Sequence, residues 1–75
     1  MKISLIVYLR NGEITFVQDL DNIMAKRFLT VDEVKTSIEK FNQHWSHDGQ
    51  QAVLYECEGF QALVAKSLLR KYQNL

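Results

Sequence analysis

The run His44-Trp45-Ser46-His47-Asp48 gathers both histidines, the only tryptophan and an aspartate of this 75-residue chain. Two imidazoles three residues apart are neighbours on a helix, and Asp48 would complete a set of three zinc ligands. Helix phase argues against that use. With Trp45 turned to the core, His44 lies roughly 100° from its direction and His47 roughly 160°. Both then face solvent in a last helical turn, where a cation suits the negative end of the dipole. The expectation is a helix terminus without a metal, stopped by Gly49.

The other reactive side chains are equally spare. Cys57 is the sole cysteine and lies between Glu56 and Glu58. Two neighbouring carboxylates disfavour a thiolate, so a small buried hydrophobe is expected rather than a nucleophile. Asp19, Asp21 and Asn22 cluster oxygens but lack the glycine and distal glutamate of a calcium loop. There is no glycine-rich phosphate loop and no Ser-His-Asp spacing. These residues predict a protein that is not an enzyme and takes no cofactor.

Composition narrows the class further. Seventy-five residues with 47% hydrophobic and 24% charged side chains and no proline describe one folded domain over 1–75. A lone cysteine fits a reducing, cytoplasmic setting. The opening MKISLIVYLRNG lacks the uninterrupted apolar stretch and cleavage site of a signal peptide. No run approaches a membrane span, so no membrane partner is expected. Nine basic and nine acidic residues balance to zero, whereas a nucleic-acid binder carries a basic excess. The balance is uneven: residues 59–75 hold Lys66, Arg70 and Lys71 and no acid.

These side chains must be positioned by a few short elements. ISLIVYLRNGEITFVQDL places two β-rich runs around Asn11-Gly12, the strongest short signal for a type I′ hairpin. An unbroken register pairs Leu9 with Ile14, Val7 with Phe16 and Ile6 with Val17. One face then reads Ile3, Leu5, Val7, Leu9, Ile14, Phe16, Leu20. The other reads Ser4, Ile6, Tyr8, Arg10, Glu13, Thr15, Val17. Residues 23–29 are open between a strand, a loop and a helical turn. Thr30 and Glu33 form a capping box for a helix whose apolar stripe is Val31, Val34, Ile38, Phe41 and Trp45. QAVLYECEG predicts a third strand with Val53, Tyr55 and Cys57 inward, because burying two glutamates is costly. The last helix opens after Gly59, and its apolar residues spread over roughly 200°.

The order ββαβα, with a helical crossover, predicts an α+β two-layer sandwich. Its three-stranded sheet has order 2-1-3, and both helices lie on one face. The uncovered face would carry Ile6, Tyr8, Arg10, Glu13, Thr15 and Val17, with Leu54 beside them. A contiguous exposed patch containing tyrosine marks an interface, either with another protein or between two copies. Leu63 is a second exposed candidate. The alternative site is a phosphate-binding patch of Lys66, Arg70 and Lys71; three cations are few for nucleic acid.

The stretch NGEITFVQDLDNIMAKRFLTVDEVKTSIEKF resembles a pattern in small orphan accessory proteins of bacteriophages and prophages. In these a hairpin leads to an Ala-Lys-Arg-Phe segment, here Ala25 to Phe28, and then to a helix capped by threonine. The resemblance covers under half the chain and implies a factor that binds and inhibits host machinery, of anti-CRISPR type. The expected function is a non-enzymatic protein-binding module that occludes a surface of a host protein or complex. The alternatives are a small nucleic-acid-binding regulator and a self-associating structural subunit.

Overall fold

The computed structural model describes residues 2–73. The elements are β1 (Lys2–Arg10), β2 (Glu13–Asp19), α1 (Leu20–Arg27), α2 (Val31–Trp45), a 3-10 turn (Ser46–Asp48), β3 (Gln50–Glu58) and α3 (Phe60–Gln73). The sheet has order β2-β1-β3, with β1 antiparallel to both neighbours. The α+β class and the strand order are those expected from the sequence.

Asn11 (φ 51°) and Gly12 (φ 82°) both adopt the left-handed conformations that a type I′ turn demands. The register then breaks. Leu9 faces Ile14, but Tyr8 faces Phe16 and Val7 faces Val17. Thr15 is the extra residue of a β-bulge, and its hydroxyl donates to the Tyr8 carbonyl at 3.1 Å. Because side chains alternate with period two, this slip exchanges the faces of everything after it in β2. Phe16 joins Tyr8, while Val17 joins Leu5.

Residues 23–29 resolve as part of helix α1 and its exit. Asp19 caps α1, accepting from the Asn22 N–H at 3.2 Å. For α2 the Thr30–Glu33 capping box is present in both directions, at 3.2 and 3.1 Å.

The placement of both helices on one face is corrected. Two separate clusters form the core. Leu20, Ile23 and Met24 of α1 and Val34, Ile38 and Phe41 of α2 pack on Ile6, Tyr8, Ala52 and Leu54. Ala62, Ala65, Leu69 and Tyr72 of α3 pack on Ile3, Leu5, Val17 and Cys57, from the other face. The fold is therefore three layers, helix–sheet–helix, in the order ββααβα. The physical reason is that both faces of β1 are apolar, so both require cover.

Candidate functional site

The expected outer sheet face is not exposed. Ile6 is 3% accessible and Val17 is 0%. Ile6 lies beneath α1 and α2; Val17 lies beneath α3, on the opposite face. Tyr8 and Leu54 are half-buried under α2. Arg10, Glu13 and Thr15 are exposed at the hairpin end of the sheet. The seven residues thus form no common surface, because a second layer of helices and the bulge at Thr15 redistribute them.

Tyr8 takes part in packing instead. Its ring meets Phe16 at 5.9 Å and Phe41 edge-on at 5.3 Å. Its hydroxyl donates to Gln18 Oε1 at 2.9 Å. Burial pushes the phenol above its ordinary pKa, and the Arg27 charge partly offsets this. A crevice of about 90 Å³ beside it is lined by Gln18, Ile23, Arg27, Ser37 and Phe41. That is small beside the roughly 300–1,000 Å³ of ordinary ligand pockets.

The histidine run ends a helix. His44 stacks edge-on against Trp45 at 4.6 Å, and His47 Nε2 lies 3.9 Å from Asp48 Oδ1, both on the surface. Gly49 (φ 75°) closes the turn, and its carbonyl accepts from the Asn11 N–H at 2.8 Å. A side chain at 49 would collide with Asn11 Oδ1. Glycine is thus required both by conformation and by this close approach to the hairpin. Among the described residues no group of three His, Cys, Asp or Glu is placed to hold a metal. Cys57 is a buried free thiol. Lys66, Arg70 and Lys71 are exposed on α3, and the Lys71 ammonium sits 5.3 Å from the Tyr72 ring centre.

Among the described residues, the most exposed apolar side chains lie on two surfaces. The first is a single side chain. Phe28 follows α1 at φ 54°, ψ 41°, and its N–H returns to the Met24 carbonyl. It is 91% exposed. The left-handed conformation costs a non-glycine residue on the order of 1 kcal/mol, and glycine is the usual occupant of such a helix exit. Phenylalanine there has strain without burial. Lys26 and Arg27 precede it, and Asp32 and Glu33 follow in the first turn of α2. The sequence signal was an Ala-Lys-Arg-Phe exit without a glycine, in a segment whose conformation was open.

The second surface joins α3 to β3. Phe60, Leu63 and Val64 are exposed on α3; Val53 and Tyr55 are exposed on β3. Of the three β3 residues expected inward, only Cys57 is covered, because α3 packs chiefly over β2 and β1. An open groove runs between Val53, Tyr55, Leu9, Ile14, Val7 and Leu68.

No family model, no curated protein and no solved structure matches the chain. No helix among the described residues is long and apolar enough to cross a membrane.

Proposed function

We propose that this protein is a non-enzymatic protein-binding module that inserts Phe28 into an apolar pocket of a larger partner and so occludes it. The observation that carries this is Phe28 itself, 91% exposed and held at φ 54°. Glycine would relieve the strain and expose less apolar surface. A bulky aromatic kept in that position, projecting from the surface, has the properties of an interface anchor. Lys26 and Arg27 precede it and Asp32 and Glu33 follow it in the chain, a flanking rim of mixed sign. Such a rim suits a protein surface better than a polyanion or an anionic bilayer. Phe28 closes the Ala-Lys-Arg-Phe segment whose resemblance to phage accessory proteins implies a host protein or defence complex as target. A cytoplasmic site of action is consistent with the buried free thiol of Cys57.

The test is Phe28→Gly. The variant is expected to gain about 1 kcal/mol of stability from relief of strain. It is also expected to lose the partner that the wild-type chain retains from a bacterial lysate. A variant that is more stable yet retains the same proteins would refute the proposal. Because the substitution strengthens the fold, loss of binding cannot be ascribed to unfolding. Nucleic acid binding through Lys66, Arg70 and Lys71 has no comparable support: these residues lie on α3, across the sheet from the Phe28 side.

A further inference from the structure

The α3 face carries a donor and an acceptor of apolar contact that cannot satisfy each other within one chain. Strands spaced about 4.8 Å apart make a three-stranded sheet about 10 Å wide between its outer strands. Helices pack roughly 8–10 Å apart, so each face has room for two. One face holds α1 and α2; the other holds α3 alone, displaced toward β2. The vacant lane lies over β3, floored by Val53 and Tyr55 and bordered by Leu68.

The surplus apolar stripe lies on α3. At 100° per residue, Phe60, Leu63 and Val64 point on average about 180° from Ala62, Ala65 and Leu69, which seat the helix on its own sheet. The stripe therefore looks away from its own lane. Phe60 is 79% exposed and Tyr55 is 44% exposed.

We propose that this face is a two-fold interface between two copies of the chain. The Phe60–Leu63–Val64 stripe of each copy lies over the vacant Val53–Tyr55 lane of the other. Stripe and lane share one face of one molecule, so a two-fold axis makes the same contact twice and closes the assembly.

The area is in the right range. The five exposed side chains offer on the order of 500 Å² of apolar surface, the upper range for a monomer's largest patch. With its polar rim the face approaches the roughly 800 Å² that each partner buries in a stable complex. The chain exposes 5355 Å² in all, about a tenth more than a folded monomer of this mass. Phe28 lies across the sheet from this face, so a dimer would present two such anchors.

The experiment is the solution mass of the full chain by light scattering and sedimentation. The expected result is twice 8.8 kDa at concentrations of about 100 µM and above. Tyr55→Glu alters the lane and Leu63→Glu the stripe. Each is expected to weaken dimerisation at least ~10-fold with the far-ultraviolet circular dichroism unchanged. A monomer at every concentration up to about 500 µM would overturn the proposal without touching the role of Phe28. A dimer whose dissociation constant neither substitution moves would place the interface elsewhere and overturn it equally. If either variant unfolds, the wild-type mass still decides the first question, and Val53→Lys tests the lane.

Discussion

Tyr8 shows how much one side chain's role depends on what covers it. As a surface tyrosine it would be a binding residue; beneath α2 it is a core ring with one satisfied hydroxyl. Burial raises its pKa above the ordinary 10.0, so the folded state holds the phenolic proton more tightly than the unfolded chain does. Its contribution to stability is then intact below pH 10 and declines as pH rises through the folded-state value. Urea titrations from pH 8 to 11 should show that decline in the wild type. In Tyr8→Phe, which cannot ionise, the decline should be shallower, from a lower starting stability because the bond to Gln18 is gone. Equal slopes in the two proteins would mean that Tyr8 titrates as it does in the unfolded chain. Phe28 is the converse case. Its apolar side chain contributes no burial, and its conformation costs energy, so its presence asks for an explanation outside the monomer.

At the scale of elements, α2 does more than cover the sheet. Asn42 reaches the outer edge of β3 and bonds both backbone groups of Ala52. Its Nδ2 donates to the Ala52 carbonyl at 3.0 Å, and its Oδ1 accepts from the Ala52 N–H at 2.7 Å. The amide thus stands in for a neighbouring strand at a position where an exposed edge would recruit another chain. Asn42→Ala should cost about 1–2 kcal/mol, since two partly buried backbone groups lose their partners. It should also raise the aggregation rate on heating. The midpoint of urea unfolding measures the first effect and light scattering the second. An unchanged midpoint would mean that water replaces both bonds at no cost. The edge of β2 is managed differently, by the bulge at Thr15, which twists that strand and interrupts its ladder.

The whole molecule is asymmetric about its sheet. Two helices close one face and one helix half-closes the other, leaving Val53 and Tyr55 beside an apolar helix stripe. Such a surface explains why α3 is apolar over a wider arc than its own packing uses. If two copies meet there, stability becomes linked to association, and the melting temperature must rise with protein concentration. A scan over a hundredfold range of concentration should show that rise in the wild type and not in Leu63→Glu. A melting temperature independent of concentration in both would show that the monomer is the unit that unfolds.

Much of this was legible in local sequence. Asn11-Gly12 dictates the hairpin turn because few other pairs accept two positive φ values. Thr30 and Glu33 dictate where α2 begins, because their side chains reach only their own helix end. Gly49 marks where the His44–Asp48 run stops being helix, and so settles its structural use. These are decisions among residues a few positions apart, and the chemistry of each lies within the segment. The face assignments were a different matter. One bulged residue at Thr15 moved Val17 from one side of the sheet to the other, and no short-range pattern announces a bulge. Whether a helix covers the Ile6 side or the Leu5 side depends on the apolar demand of both faces at once, and on which helix arrives there. Exposure is a property of what lies opposite a residue in space. That is why Ile6 and Val17 are core, while Phe28, Tyr55 and Phe60 are surface, and why only the assembled molecule could separate them.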